Sequence, residues 1–273
     1  NEANPDINLN VEVVSWNDIY TVVNTRIANG EAPDVLNIDV FADYQADDLL
    51  LPIQDVVSEE TYSKMYDAFL AQSEVDGTVW AIPDLASARA MYYNKDILDA
   101  AGGEVPTTWD EFEEVLQKLS DAGIQPLTTG GSDKWGATRL INAYAVRTAG
   151  NDIMTKAADG EVPYTDEKLV AAADKIAEWA EKGYFGEGIT TVDMNTAGSM
   201  LMSGKAAIFY NGSWFTQNLT DDSQNPAGED GIGFFNIPVA DESISSATSY
   251  SMNCGNILAL DNDKYDEATG WFL

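Results

Sequence analysis

The sequence predicts an α/β fold of two lobes joined by hinge strands, and three observations carry that expectation. Strand-like and helix-like hydrophobic patterns alternate along the chain, the order found in layered α/β domains. The 273 residues, 45% of them hydrophobic, suffice for about two domains with sizeable cores. The alternation is interrupted at DAAGGEVPTTW, where Gly102, Gly103 and Pro106 fall together, and again at Gly255 within NCGNILAL. We read these as one crossing between lobes and one return, which partitions the chain into 1–104, 105–254 and a returning segment 255–273. Two such crossings side by side, Asp99–Thr107 and Asn253–Asn256, would allow rotation about a single axis.

Taken in order, the opening NEANPDINLNVEVVSW reads as the tail of a helix, a loop and an alternating strand at Leu9, Val11 and Val13. Ser15 and Asn17–Asp18 are placed to cap a helix with Ile19, Val22, Val23 and Ile27 at helical spacing and Gly30 at its end. Asp34–Ile38 reads as a buried strand. Thr108-Trp109-Asp110-Glu111 is a capping box, opening a helix that turns Phe112, Val115, Leu116 and Leu119 inward and closes at Gly123. A further helix over Asp166–Lys182 is expected to bury Leu169, Ala172, Ala173, Ile176 and Ala180, with Gly183 after it. Ala206–Tyr210 reads as a buried strand, Phe215–Leu219 as the start of a helix and Ile257–Leu260 as a buried strand. The closing YDEATGWFL stops inside an amphipathic pattern at Ala268, Phe272 and Leu273, so truncation is expected at both ends.

Composition excludes several classes. Forty-six acidic residues stand against 14 basic ones, a formal charge of -32. Such a surface repels phosphate backbones and anionic headgroups, so neither nucleic acid nor an electrostatically bound membrane is an expected partner. Histidine is absent, which removes the commonest general base, the imidazole-dependent triads and most zinc and copper sites. Cys254 is the single cysteine, so an intrachain disulfide is impossible. No apolar run approaches the ~20 residues needed to span a bilayer, and no signal peptide is visible. No cofactor or metal is expected. Gly198…Gly204-Lys205 misses the spacing of a phosphate loop and has Ala206 in place of its hydroxyl residue. Asp261-Asn262-Asp263 with Asp266 and Glu267 lacks the central glycine and closing glutamate of a calcium loop, and helix capping accounts for it better.

The most informative run is Gly204–Trp214, GKAAIFYNGSW. It places a strand of small and apolar residues directly before a Gly-Ser-Trp corner, so an indole is presented at a strand end, where ligands of open α/β layers sit. The alternative is a core tryptophan on a strand-to-helix turn.

Together with GEAPDVLNID, LLLPI, VWAIPDLASARAMYYNKDIL, PTTWDEFEEVLQKL and CGNILALDNDKYDEATGWFL, this run resembles, in order and across nearly the whole chain, the extracellular solute-binding proteins of carbohydrate ABC importers (family 1, maltose/oligosaccharide-binding-protein-like). Two departures stand out: Asp47-Asp48 replaces the usual glycine before the leucine run, and Cys254 stands where small glycine-like residues are common. The resemblance implies a periplasmic-binding-protein-like fold of two α/β lobes with a cleft that closes on an oligosaccharide. It implies a monomer that delivers its sugar to ABC permease transmembrane subunits, and a location outside the cell, lipid-anchored to the outer face of the cytoplasmic membrane or free in a periplasm. Two stacking aromatics suggest a ligand of more than one ring.

The same resemblance nominates ligand-binding residues. Asp39, ending the strand VLNID, is similar to the family's acceptor carboxylate for sugar hydroxyls; the alternative is a helix cap. Ser87 and Arg89 lie where the family lines its cleft, although Arg89 would serve equally as an ion-pair partner in so acidic a chain. Trp135, exposed in the flexible glycine loop GGSDKWG and so a poor core element, resembles the second stacking aromatic beside Trp214. Asn211 and Ser213 flank the Trp214 corner as donors, and Gly255 and Asn256 sit at the hinge, where backbone approaches a ligand closely. Tyr250 and Asn253 are weaker candidates. The competing class is a glycoside hydrolase or other carbohydrate-active enzyme using a carboxylate pair, but Asp39 is the one carboxylate nominated for the cleft and no partner for it is evident. The expectation is therefore a non-enzyme.

Overall fold

The computed structural model describes residues 4–221, 223–259 and 265–273. Eight strands are found among them: β1 Val35–Asn37, β2 Glu74–Val75, β3 Thr78–Val79, β4 Ile82–Asn94, β5 Gln125–Thr128, β6 Ala206–Gly212, β7 Ile232–Phe235 and β8 Met252–Ala259. The chain divides into two compact units, residues 1–87 with 253–273, and residues 88–252. It passes from the first to the second within β4 and returns at the start of β8.

This division differs from the expected 1–104, 105–254 and 255–273. The glycine pair lies inside the second unit, where Gly102, with φ 64°, follows the end of helix Lys95–Ala100 in the left-handed conformation. Glycine there is a helix terminator. The crossing itself needs no glycine, because one continuous strand makes it.

In the first unit, β1 pairs antiparallel with β8 in the register Val35↔Ala259, Leu36↔Leu258 and Asn37↔Ile257. Val23 of helix Ile19–Ala28 packs with Leu36, Ile38, Phe41, Tyr44, Leu50, Ala81 and Leu258 to form its main core. The Leu9–Val13 alternation forms no strand; these side chains are 51%, 77% and 92% exposed at Leu9, Val11 and Val13. Period-two patterning makes a strand only where a ladder partner takes up the backbone groups, and none pairs with this segment among the described residues. Leu260 and Asp261–Asp263 lie outside the described residues.

In the second unit, β6 is buried along its whole length between antiparallel β4 and parallel β5, and β7 pairs antiparallel with β4. Ile208 and Tyr210 join one core cluster and Phe209 another, as alternation across a strand requires. Helix Trp109–Asp121 opens with the expected capping box, Thr108 and Glu111 satisfying each other's backbone N–H groups, and buries Trp109, Phe112, Val115, Leu116 and Leu119. Helix Glu167–Glu181 buries Leu169, Ala172, Ile176 and Trp179, while Ala173 and Ala180 face outward. The larger ring wins the inward position: Trp179 stacks on Trp109 at 5.4 Å and meets Phe112 edge-on at 5.6 Å.

Charged groups border this aromatic stack. Lys175 donates to Glu113 and Glu178, each at 2.9 Å, and Lys182 donates to Glu178 at 2.6 Å. The hydrogen bonds from Lys182 and then Lys175 pull the Glu178 carboxyl from 4.5 down to about 2. A depressed carboxylate contributes stability that is complete above its unfolded pKa and is lost as pH falls through its folded one. The stability difference between the wild type and Glu178→Gln is therefore expected to shrink as pH falls from 4.5 towards 2, measured by urea unfolding at stepped pH. A constant difference across that window would contradict the ion-pair account. The effect is modest, because the Glu178 side chain is 41% exposed and solvent screens it.

Candidate functional site

The end of β6 determines the local geometry. Arg89 of β4 lies opposite Gly212 of β6, and Ala90 opposite Asn211. After Gly212 the chain enters a tight turn, Ser213–Phe215, and a short helix, Thr216–Leu219. Phe215 fixes this corner by packing edge-on against Tyr92 at 5.1 Å and Phe209 at 5.2 Å. Tyr92 adds a hydrogen bond from its hydroxyl to the Gly212 carbonyl at 3.3 Å. The Trp214 indole folds back over Gly212, and a Cβ at residue 212 would overlap its six-membered ring. Glycine is thus required by a close approach at a position with extended backbone.

Arg89, itself buried, places its guanidinium carbon 4.8 Å from the Trp214 ring centroid. Trp135, the first residue of helix Trp135–Ala149, stands 6.3 Å from Trp214 with the ring planes at 59°. Both indoles are half-buried, so each packs on the core cluster of Phe209 and Phe215 and still meets solvent. Burial pushes the neighbouring Tyr210 phenol up, while the Arg89 charge and a hydrogen bond with Ser251 act in the opposite direction. The Arg89 backbone N–H donates to Ser251 at 2.9 Å. Two half-buried indoles present apolar planes of the kind on which C–H faces stack, with the Arg89 guanidinium against one of them.

The glycine loop before Trp135 is not the flexible element that the sequence suggested. Any Cβ at Gly130 or Gly136 would run into Met194, and one at Gly131 would collide with the backbone of Ile189. The Gly130 N–H points at the Met194 sulfur at 3.1 Å, Ser132 N–H donates to Val192 at 3.0 Å, and Asp133 accepts from Met194 N–H at 2.7 Å. The glycines therefore allow close docking, which sets the position of Trp135.

The remaining candidates are distributed as follows. Asn211 is buried, and its side-chain oxygen accepts from the Gly212 N–H at 2.8 Å, so it shapes the corner. Ser213 is half-buried at the same turn, and Tyr250 is exposed. Asp39, Ser87, Gly255 and Asn256 all belong to the first unit. Asp39 is exposed just beyond β1, Ser87 is buried in β4, and Gly255 lies within β8 against the Asp84 carboxylate and Leu85. Asn256 is in β8, its side chain outside the described ones, and Asn253 is half-buried in the same strand.

Sequence reasoning missed Asp84 and Asn37, whose side chains meet at 2.6 Å, Asn37 donating. Burial, then the charges of Asp84 and Asp39, push the Cys254 thiol up. It also missed Arg147, buried in helix Trp135–Ala149 and donating to the carbonyls of Ser246 at 2.8 Å and of Ile237 and Ser249 at 2.9 Å. No local pattern distinguishes such an arginine from a surface one. Among the described residues no helix is long and apolar enough to cross a membrane.

Residues 1–256 match the family described as bacterial extracellular solute-binding protein. Over 218 residues the chain is 29% identical to a "probable sugar-binding periplasmic protein" of Rhizobium meliloti, covering 74% of this chain and 51% of that one. Over 241 residues it is 25% identical to the "multiple sugar-binding protein" of Streptococcus mutans, covering 86% and 56%. The chain thus spans about half the length of the curated relatives it matches. Among solved structures, one from work on xylan utilization by Caldanaerobius polysaccharolyticus superposes with a TM-score of 0.85 at 23% identity, over 98% of this chain and 69% of that one. A raffinose complex of the solute-binding protein RafE gives 0.75 at 22% identity, over 99% and 70%. At these identities the solved structures are a likeness of fold.

Proposed function

The chain belongs to the bacterial extracellular solute-binding protein family, and from that premise we propose that it is the ligand-recognising part of the substrate-binding component of an ABC importer for an oligosaccharide. The observation that supports the sugar class is the group at the end of β6, Trp135 and Trp214 with Arg89 over the latter. A pyranose has C–H patches on its faces and hydroxyls around its equator, and this group supplies a complement for both. Relatives named for sugar binding support the same class. The protein works outside the cytoplasmic membrane, lipid-anchored or free, as a monomer, and hands its ligand to the permease subunits.

We propose further that it binds without turnover. Imidazole is absent from the chain, and Asp39 is the one carboxylate that the resemblance nominates for the site. Incubation with a mixed oligosaccharide pool is expected to deplete one component without releasing shorter products, read by chromatography of free and bound fractions. At a hundredfold excess over Kd that component should add about 2.7 kcal/mol of stability. Shortened products that vanish in Asp39→Asn would instead establish the hydrolase, and an undepleted pool without any thermal shift would remove the sugar class.

A further inference from the structure

Among the described residues, eleven glycines and three other residues have positive φ. Two of the three are Asp48 and Asp76, of a type that tolerates the left-handed region, and the third is Lys134, which directly precedes Trp135. Lys134 has φ 63° and ψ -43°, and the Trp135 N–H donates across it to the Asp133 carbonyl at 2.7 Å. A hydrogen bond that closes over one residue near these angles is the rare, strained form of γ-turn. Such a conformation persists only where its surroundings dictate it.

Both flanks of the turn are anchored. On one side the Asp133 carboxylate accepts from the Met194 N–H at 2.7 Å, which ties the loop to the first turn of helix Met194–Met202, and the Ser132 N–H bond to Val192 extends that tie by one residue. On the other side the Lys134 carbonyl accepts from the Thr138 N–H and from the Thr138 hydroxyl, each at 3.1 Å, as the first acceptor of helix Trp135–Ala149. Loop and helix are thus held by separate contacts, and the one residue between them takes up the mismatch. Glycine there would take it up without strain, but would also let the peptide ahead of Trp135 rotate.

We propose that Asp133 and Lys134 are positioning residues for the Trp135 indole: the tether at Asp133 imposes the turn at Lys134, and the turn fixes the direction in which the helix presents its first ring, 6.3 Å from Trp214. Neither side chain has to touch the ligand. Their contribution is preorganisation, since a ring already held in place loses less freedom when a sugar face is laid on it. What the ring serves rests on the sugar-binding proposal, while the turn, its tether and both indoles lie within the second unit.

The test compares the full chain with Lys134→Gly, Asp133→Ala and Asp133→Asn. Near-ultraviolet circular dichroism of the ligand-free protein, taken as the difference from Trp135→Phe in each background, reads the arrangement of the ring pair. Titration calorimetry with raffinose, xylotriose and chitobiose reads affinity, and urea unfolding reads stability. Lys134→Gly is expected to lose part of the ring signal and to raise Kd about two- to tenfold. Its unfolding midpoint should stay at or above that of the wild type, because relief of strain offsets the added freedom of the unfolded chain. Asp133→Ala should change ring signal and Kd in the same direction, and Asp133→Asn, which keeps an acceptor for the Met194 N–H, should recover both. A Kd that weakens only in step with a lowered midpoint in Lys134→Gly marks a structural role and overturns the proposal. So does an unchanged ring signal in Lys134→Gly and Asp133→Ala, an unchanged Kd where a sugar binds, or no recovery in Asp133→Asn. Absence of binding by every sugar counts against the sugar-binding proposal and leaves the ring signal to decide the positioning role.

Discussion

Trp214→Ala is expected to weaken oligosaccharide binding by about 1–3 kcal/mol, from roughly fivefold to somewhat over a hundredfold in Kd, while the protein stays folded. Trp214 is half-buried on a turn after β6, and the deep positions beneath it are held by Phe215, Phe209 and Tyr92. Truncation removes the plane against which a sugar face would stack and also the surface over which the Arg89 guanidinium lies at 4.8 Å. The guanidinium then loses a cation–π partner. Titration calorimetry with the component depleted from the sugar pool reads the result. An unchanged Kd, with intact far-ultraviolet circular dichroism, would take the indole out of the site.

The largest effect on stability is expected at Arg147. The residue is 2% exposed, and its guanidinium donates to three backbone carbonyls, those of Ile237, Ser246 and Ser249. Arg147→Met fills most of the volume but leaves these acceptors unmet, at about 1–3 kcal/mol for each one that stays buried. Ser249 keeps a second donor in Asn236 at 2.8 Å, so the expected total is about 3 kcal/mol rather than the full sum. The midpoint of urea unfolding should fall accordingly, with partial recovery in Arg147→Lys, which retains a cation and fewer donors. A variant as stable as the wild type would mean that the Ser246–Ser249 segment needs no such clamp. The charge is already costly to hold there, since burial lowers the Arg147 pKa.

What could be read in the sequence follows from how local the determining interactions are. The capping box at Thr108 and Glu111 closes within one turn, and the Phe112–Leu119 stripe repeats at helical spacing, so four residues of context suffice. The Trp214 corner was legible for the same reason, because strand, glycine and ring are contiguous. Trp179 displaced the expected Ala173 and Ala180 because the Trp109 ring, distant in sequence, supplies its partner. Leu9–Val13 had the right alternation and lacks a ladder. The glycines at 130, 131 and 136 looked like slack and prove to be contacts with Met194 and Ile189. Arg147 and Asp84 carry no local signature, since the atoms that explain them lie far along the chain.

The second unit is one uninterrupted stretch, 88–252, whereas the first is made of two pieces separated by all of it. On a ribosome the two therefore mature in the reverse of their chain order. Val35 emerges early and pairs with Ala259, more than two hundred residues later. At ~5–20 residues per second, β1 waits on the order of tens of seconds for its neighbour. The second unit receives its last residue only as β8 begins to emerge, and throughout the interval β1 presents a bare edge of the kind that attracts wrong partners. The ladder of the first unit between β1 and β8 thus forms only after nearly the whole second unit has been made.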